Sequence, residues 1–373
     1  MINRLALSLI AEIMDWNEEE VTREYTWLRL MSAVKYDGYS DFRAGVRFLE
    51  NLAIWLRQFE PEDRNAAYNF VRHRMVYIST AEMHRVIDTF VPETVTPYLR
   101  AAAAEEVGIK PYETWGHPQG VEAFNRLLRC SLFVGLSDGS RIDVLRRANS
   151  GRLVQDQVVP MLDVGVEKWA DLKKELAGEL GPDARFENVF LIDDFTASGT
   201  TFIRQSEEGK WKGKLKKFND MVCKARSEMR NDFPISEEYN LHIHHYVSTE
   251  QAREALEERV ADANQNWQER SFSSYRITQG LLLPADLRMS GGADAGMLSI
   301  CDQYYDDHLY QRLKKHCDEA GQSDMKRGYA DCSLPVILEH NTPNNSISIL
   351  WAETPGKHGH KMSPLFRRRD RHG

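Results

Sequence analysis

The chain lacks the cysteine pattern of a secreted or zinc-binding protein. It has five cysteines, an odd number, and no two of them form a Cys-x-x-Cys pair. They are scattered at Cys130, Cys223, Cys301, Cys317 and Cys332. This usage argues against a disulfide scaffold or a zinc site and predicts a reduced, cytoplasmic protein.

Long apolar runs and a strong excess of charge are also missing. The apolar run at the N-terminus is short and soon meets Asp15, so it predicts neither a signal peptide nor a membrane span. The formal net charge of −8 gives no general attraction to nucleic acid or to anionic membranes, so nucleic-acid binding would need a local basic patch. The lysines of residues 210–217 and the arginines of residues 367–371 are candidates. A solvated helix face and a solubilising tail are the simpler interpretations of these two segments.

The most informative segment covers residues 188–201. Its apolar residues 189–192 predict a strand that is buried on both faces and ends in two adjacent carboxylates, Asp193 and Asp194. A small hydroxyl-rich turn follows, in which Gly199 can adopt a positive φ and expose backbone amides to a phosphate at the start of the next helix. Carboxylates do not bind phosphate, so the aspartates are expected to accept hydrogen bonds from sugar hydroxyls or to hold hydrated Mg²⁺. The pattern predicts a sugar-phosphate site.

Two rival phosphate motifs do not fit this segment. A Walker loop needs Gly-x-x-x-x-Gly-Lys-Ser/Thr, and no lysine follows Gly199 at the required place. An aspartyl-phosphatase motif has Asp-x-Asp, whereas the two aspartates here are adjacent. A solvated turn between a strand and a helix remains the alternative interpretation.

The segment resembles the 5-phosphoribosyl pyrophosphate loop of the type I phosphoribosyltransferase fold. In that family an acidic pair after a strand precedes a Ser/Thr-Gly-x-Thr turn. The resemblance implies that Asp193 and Asp194 are the catalytic pair, contacting the ribose 2′- and 3′-hydroxyls and holding Mg²⁺ through water. It implies that the 5′-phosphate is wrapped by Thr196, Ala197, Ser198, Gly199, Thr200 and Thr201. Purine-salvage members carry an acidic residue where this chain has Ala197, although orotate-type members lack it too, so ordinary purine salvage is not expected.

A second segment resembles the pyrophosphate loop of the same fold. Residues 131–136 predict a short apolar strand, which runs into a small polar turn. The turn consists of Ser137, Asp138, Gly139 and Ser140. In relatives this turn lends backbone amides to the leaving diphosphate, and Arg141 would be a nearby charge partner. A plain β-turn is the alternative interpretation.

The order of elements predicts an α/β fold, a mainly parallel sheet with flanking helices, plus an N-terminal helical region and a C-terminal α+β extension. With 373 residues, two to three units are expected at roughly 150 residues each. Amphipathic helices are predicted over residues 1–128, the phosphoribosyltransferase-like core over 129–290, and a hood or lid over 291–373. The first helix is expected to bury Leu5, Leu9 and Ile13. In the core, strands are predicted at 131–136, 153–162, 189–192 and 240–247, and helices at 166–180, after Gly209 with Trp211 on the apolar face, and from a capping box at 248–251.

Histidines in the fourth predicted strand are a candidate metal site. His242 and His244 share one strand face, but no third ligand is evident in the sequence. We therefore expect these side chains to be packed or hydrogen-bonded instead.

An asparagine-rich turn marks the C-terminal part. A strand is predicted over residues 329–339 before the turn and an apolar strand over 347–351 after it. The turn is interpreted either as a simple connection between strands or as a lid whose amides recognise a base or sugar. Its candidate residues are Asn341, Asn344 and Asn345. Together with Pro364-Leu-Phe366 near the terminus, this turn resembles the phosphoribosyltransferase-like branch linked to bacterial conflict and antiphage systems.

These resemblances imply a pentosyltransferase-like protein that binds phosphoribosyl pyrophosphate, or a related ribose phosphate, with Mg²⁺. They also imply an antiphage defence effector with protein partners from its operon. Two alternatives stay open: a regulatory protein that senses phosphoribosyl or nucleotide ligands without turnover, and a salvage-type phosphoribosyltransferase. The residues assign neither the acceptor nor a general base.

Overall fold

The computed structural model describes residues 2–160 and 164–368. They form two compact units: one combines the described residues up to Glu82 with those from Ala285 onward, and the other is the continuous segment Met83–Pro284. These boundaries differ from the predicted ones at 128 and 290. Residues 83–128 belong with the parallel sheet because aromatic side chains such as Phe90 pack on it, and the two terminal segments share one core.

Helices and strands largely alternate between Ser131 and Leu283, and helices predominate elsewhere. The helices are α1 Ile2–Ile13, α2 Glu18–Val34, α3 Phe48–Arg57, α4 Pro61–His73, α5 Thr80–Thr89, α6 Thr96–Val107, α7 Pro118–Arg129, α8 Ile142–Ala148, α9 Val166–Leu180, α10 Lys214–Met229, α11 Glu250–Asn266, α12 Ala295–Gln303 and α13 His308–Asp318. The strands are β1 Val76–Ile78, β2 Ser131–Gly135, β3 Val158–Val159, β4 Phe186–Thr196, β5 Arg204–Gln205, β6 Trp211–Lys212, β7 Ile235–Thr249, β8 Ser274–Leu283 and β9 Val336–Leu338. Among the described residues, each helix is too short or too polar to cross a membrane.

The second unit is built on a five-stranded sheet in the order β3-β2-β4-β7-β8. Every neighbouring pair of strands is parallel, which confirms the predicted α/β fold. Residues 189–192 of β4 are at most 1% exposed. Burying apolar side chains of this size contributes roughly 1.5–3 kcal/mol each, so the apolar run holds β4 at the centre of the unit.

The two faces of this sheet differ chemically. One face carries Val189 and Leu191 and packs against apolar residues of α9, α10 and α11. The other face is aromatic, with the rings of Phe190 and His242 stacked 4.2 Å apart. His242 also lies 3.3 Å from an amide oxygen of Asn188, and His244 bonds a threonine hydroxyl of β8 at 2.9 Å. These histidines are packed and hydrogen-bonded, as predicted.

Several predicted elements of the second unit are shifted in the structure. Helix α9 has the predicted bounds, but α10 begins only at Lys214 because β5 and β6 form a hairpin that includes Trp211. The predicted strand over 153–162 is reduced to β3, which follows a 3₁₀ turn at Gln155–Gln157. Residues 161–163 lie outside the described part. Helix α11 is capped by Thr249 rather than by a box starting at Ser248.

The first unit packs its helices around one core that includes Trp55, and strands β1 and β9 pair in parallel. In α1 the predicted apolar stripe is wrong for Leu5 and Leu9, which are 74% and 38% exposed, whereas Ile13 is partly buried against the core. Instead Leu7 and Ile10 are buried. The buried face of α1 is therefore rotated about the helix axis relative to the predicted face.

The C-terminal segments of the first unit are less extended than predicted. Only the end of the predicted strand over 329–339 forms β9, because a 3₁₀ turn at Tyr329–Asp331 with left-handed Ala330 precedes it. The predicted strand over 347–351 is a 3₁₀ turn, Ser348–Leu350. The indole N–H groups of Trp55 and Trp351 bond the carbonyls of Ile349 and Ser346, which a strand would use for pairing.

Candidate ligand site

Two loops meet at the carboxyl edge of the sheet in the second unit. Strands β2 and β4 are parallel neighbours, with Gly135 opposite Ile192. The segment that follows β2, residues 137–140, is called the 137–140 turn below. Residues 196–201, which begin with the last residue of β4, are called the 196–201 loop. The amide of Leu136 donates to the carbonyl of Ile192 over 2.9 Å, which joins the two strand ends. This topology brings the predicted turn beside the predicted aspartates.

Asp193 is the most deeply buried carboxylate of the site, with 3% of its surface exposed. Its Oδ1 accepts a hydrogen bond from Ser137 Oγ at 2.7 Å, and its Oδ2 is ion-paired with Lys214 Nζ. Burial raises the pKa of Asp193, and the positive charge of Lys214 opposes that rise while the neighbouring Asp194 adds to it; the net direction is upward. The ammonium of Lys214 is therefore the main partner of a buried carboxylate.

Asp194 points to the 137–140 turn. Its Oδ1 is 3.5 Å from Ser137 Oγ, and its carboxylate lies directly over the backbone of Gly139. A Cβ at residue 139 would overlap the Oδ2 atom of Asp194. Asp194 is only partly buried. The two aspartates thus differ: Asp193 is held by two donors, while Asp194 is closer to solvent and requires a glycine beside it.

The 137–140 turn is organised by one hydroxyl. Ser140 Oγ accepts hydrogen bonds from the amides of Leu136 and Ser137 at 3.1 and 3.0 Å, and donates to the carbonyl of Ile192 at 2.8 Å. Within the described residues, the amides of Asp138 and Gly139 donate to no backbone carbonyl outside the turn. The Ser140 hydroxyl therefore stabilises the turn, and the amides of Asp138 and Gly139 are candidates for binding an anion; ligand contact by Ser140 stays a prediction.

The 196–201 loop has the predicted glycine conformation, because φ of Gly199 is +67°. Side chains outside the loop donate hydrogen bonds to three of its carbonyls. The Thr249 hydroxyl donates to the carbonyl of Ala197. The guanidinium groups of Arg259 and Arg204 donate to the carbonyls of Ser198 and Thr200, respectively. In a trans peptide the N–H points opposite to the preceding carbonyl, so the amides of Ser198, Gly199 and Thr201 each point away from the donor that binds that carbonyl. These three amides are the candidates for contact with an anion.

The helix after the loop differs from the expectation. A hairpin separates the loop from α10, so the loop does not run directly into the helix. The first amides of α10, those of Lys214 and Leu215, donate to the carbonyls of Thr201 and Phe202 at 3.1 and 3.0 Å. These donors are occupied, so a phosphate on the loop would depend on loop amides and hydroxyls rather than on this helix terminus.

Two site residues were not identified from the sequence. Lys214 falls among the lysines of residues 210–217 that the sequence predicts to be solvated, and the sequence does not locate the start of α10 at this residue. His245 lies beside Asp193 in register on β7 and is 1% exposed. Burial, and then the charge of Lys214, lowers the pKa of His245 to about 3, so its imidazole is neutral at physiological pH. Only three-dimensional pairing of strands reveals this neighbour.

The predicted asparagines belong to the first compact unit. Asn344 Nδ2 lies 3.3 Å from His316 Nε2, and Asn345 Nδ2 donates to the carbonyl of Tyr329 at 3.1 Å. The backbone N–H of Asn341 donates to the backbone carbonyl of Leu338. Their role in recognising a base or sugar stays a prediction. Residues 369–371 of the predicted basic tail lie outside the described part of the chain.

A separate cavity lies at the opposite edge of the same sheet. It has a volume of about 960 Å³ and is lined by Trp115, Arg129 and Gln157, among others. Arg129 and Gln157 immediately precede β2 and β3, so this is the amino-terminal edge. Ligands of open parallel sheets bind at the carboxyl edge, where the two aspartates and both loops converge. We therefore place the candidate site there rather than in this cavity.

A parallel α/β sheet with an acidic pair and two polar loops at its carboxyl edge defines a phosphoribosyltransferase-like protein. The PRTase-CE family model matches residues 52–368, which is most of the chain. The chain belongs to the PRTase-CE family. This membership confirms the predicted phosphoribosyltransferase-like fold. No curated protein and no solved structure matches the chain.

Proposed function

We propose that the site binds 5-phosphoribosyl pyrophosphate, or a related ribose phosphate, together with Mg²⁺. The observation that carries this proposal is the meeting of Asp193, Asp194 and Ser137 at the ends of neighbouring parallel strands. Ribose hydroxyls would donate to the two carboxylates. The 5′-phosphate would lie on the 196–201 loop, and the diphosphate would lie beside the 137–140 turn.

Magnesium fits the donor set of this site. Carboxylate oxygens are preferred ligands of Mg²⁺, which usually keeps several waters and shares phosphate oxygens with the substrate. Within the described residues, no group of three His, Cys, Asp or Glu side chains forms a closed metal cage. Asp193 and Asp194 would therefore hold the ion through water, with ligand oxygens completing its shell. The bound ion would neutralise charge on the diphosphate.

We propose phosphoribosyl transfer as the reaction. An acceptor atom would form a bond to C1′ of the ribose while the bond from C1′ to the diphosphate oxygen breaks, and the electron pair would leave with the diphosphate. The acceptor proton would pass to solvent. Positive charge developing on the ribose would be stabilised by Asp193 and Asp194, and the amides of Asp138 and Gly139 would bind the departing diphosphate.

The acceptor is expected to differ from a free purine base. Ala197 is 3% exposed and brings no carboxylate to the place where purine-salvage relatives have one. The first unit, built from both terminal segments, also adds a large core that a minimal salvage enzyme does not need. Both features support a specialised effector, which we propose acts in bacterial antiphage defence with partners from its operon.

One observation favours the alternative of a sensor without turnover. Burial lowers the pKa of His245, the imidazole beside Asp193, to about 3, so it is a weak base for an acceptor proton. A sensor would bind phosphoribosyl ligands with the same loops and would report occupancy instead of releasing diphosphate.

Titration calorimetry followed by product analysis tests the proposed function. Wild-type protein with Mg²⁺ is titrated with phosphoribosyl pyrophosphate, ribose 5-phosphate and ATP, and then incubated with adenine, guanine, hypoxanthine, uracil or orotate. We expect binding of phosphoribosyl pyrophosphate and negligible transfer to the five bases. Efficient turnover of any of these bases would restore the salvage enzyme. No binding of either ribose phosphate would refute the proposed ligand.

The effector role needs a cellular test. Expression with the neighbouring genes is expected to restrict phage or to slow growth, and the Asp193→Asn/Asp194→Asn variant should lose that effect. Restriction that is equal in wild type and variant would separate the defence role from this site.

A further inference from the structure

Lys214 occupies a position between the two parts of the candidate site. Its Nζ is ion-paired with Asp193 Oδ2, while its backbone N–H donates to the carbonyl of Thr201 at the end of the 196–201 loop. Its side chain is 26% exposed, whereas that of Asp193 is 5% exposed. The residue is therefore anchored beside the loop by its backbone and reaches the acidic pair with its side chain.

When a ribose phosphate binds, the ammonium of Lys214 can contact either of two negatively charged groups. Lysine carries a compact charge on a flexible four-carbon stem, so Nζ can turn about a fixed Cα. One of these groups is the carboxylate of Asp193, which the ammonium contacts in this structure. The other is a phosphate on the 196–201 loop, since the Lys214 backbone touches that loop. A ribose hydroxyl or hydrated cation arriving at Asp193 would replace the ammonium there and release it.

We propose that Lys214 is a phosphate-binding residue that transfers from Asp193 to the 5′-phosphate when a phosphorylated ribose enters the site. This inference rests on the proposed function and deepens it, because it identifies the ligand class as one that carries both sugar hydroxyls and a phosphate. A buried carboxylate left without a partner is strongly unfavourable. The exchange therefore occurs only when the ligand supplies a partner for each of the two charges.

The proposal explains how the site distinguishes ligands. Inorganic phosphate alone attracts the ammonium but leaves Asp193 without its cation. Ribose alone supplies hydroxyls for Asp193 but leaves Lys214 without an anion. Ribose 5-phosphate supplies both partners, so it is expected to bind more tightly than either of the separate groups at equal concentration.

Inorganic phosphate provides the sharpest test, because it needs no ribose contacts. Calorimetric or thermal-shift titration with inorganic phosphate is done on wild type, Asp193→Asn, Lys214→Met and the double variant Asp193→Asn/Lys214→Met. The first change removes the competing carboxylate charge, so phosphate affinity should rise, about 3- to 10-fold. Adding Lys214→Met should abolish that gain, since one charge-assisted hydrogen bond is then missing. The gain is a result that a purely structural ion pair would not produce.

The complementary measurement is the affinity for ribose 5-phosphate and for inorganic pyrophosphate, each titrated with Mg²⁺ present. Lys214→Met should lower the affinity for ribose 5-phosphate by about 10- to 100-fold, the range expected for one charge-assisted hydrogen bond. Pyrophosphate affinity should stay within about twofold, because that ligand is placed at the 137–140 turn. Lys217→Met is the matched control, since Lys217 is an exposed lysine of the same helix and loses the same charge.

The outcomes separate this inference from the proposed function. An inorganic-phosphate response that is equal in wild type, Asp193→Asn and Lys214→Met overturns the role of Lys214, whatever the ribose phosphates do. Phosphate binding that depends on Lys214 without any binding of ribose phosphates supports the anion role and refutes the phosphoribosyl ligand. If Lys214→Met does not fold, the comparison of Asp193→Asn with the double variant, in which both charges are removed, still decides the question.

Discussion

Replacing both aspartates by asparagine should weaken binding of phosphoribosyl pyrophosphate while leaving the fold intact. The Asp193→Asn/Asp194→Asn variant keeps the side-chain shape and removes both negative charges. A hydrogen bond to a charged group contributes about 1.5–3 kcal/mol, so two of them correspond to roughly 3–6 kcal/mol. This loss of binding free energy corresponds to a decrease of about 10²- to 10⁴-fold in affinity.

The structure places the expected loss near the lower end of that range. In the free protein Asp193 is already paired with Lys214, so the ligand exchanges one partner for another instead of filling an unpaired acceptor. The substitution also frees Lys214 to contact the phosphate of the ligand, which restores part of the lost affinity. We therefore expect a decrease of about 100-fold in affinity, or roughly 2.7 kcal/mol.

The stability of this variant should change little. Breaking a buried ion pair can destabilise a protein by about 3–5 kcal/mol, but the Lys214 side chain is 26% exposed and can turn its ammonium to water. We expect a decrease of roughly 1–2 kcal/mol in the free energy of unfolding, measured by thermal or urea denaturation. Calorimetry with Mg²⁺ measures the affinity. Wild-type affinity in a folded double variant would refute the role of the aspartates.

Three further predictions concern single positions. Gly139→Ala should place a methyl group on the Asp194 carboxylate and weaken phosphoribosyl pyrophosphate binding at least about tenfold, with roughly 1–3 kcal/mol less stability in thermal unfolding; normal values for both would contradict the packing of this turn. Gly199→Val should abolish calorimetric binding, whereas Gly209→Val, at a similar φ of +71° with open space around it, should bind normally; equal affinities would remove the loop assignment. Burial raises the pKa of Asp306, but backbone amide donors hold it below its ordinary 3.8, so its stabilising contribution is present above about pH 4 and is lost as the pH falls. Asp306→Asn should flatten the pH dependence of the unfolding free energy below about pH 4, and an unchanged acid profile would count against this.

The sequence was informative wherever one strand and its turn act together. Residues 189–192 are apolar because β4 is covered on both faces, and the same run fixes where Asp193 emerges. The positive φ of Gly199 is likewise a local property that its neighbours indicate. These features depend on nearby residues, so their pattern predicts them.

The remaining features depend on contacts between distant segments. The pairing of Lys214 with Asp193 arises because a hairpin delays the start of α10, and the apolar period of the sequence did not locate that start. His245 becomes a neighbour of Asp193 only through the register of β4 and β7. Strand β8 is an edge strand whose first half is mostly polar, so its sequence resembles a loop until β7 provides a partner.

The division of the chain has a consequence for the order in which the protein can fold during synthesis. The sheet unit is one continuous segment, Met83–Pro284, whereas the other unit needs residues on both sides of it. The first and last elements of the sheet unit approach each other, since Gly280 packs against Val86 without room for a Cβ. The pairing of Val76 with Val336 must wait until the ribosome has translated everything between them. Nascent chains can thus complete the parallel sheet while the apolar helices that precede it still lack their C-terminal partners, and during that period the exposed apolar faces of these helices are the segments that chaperones would bind.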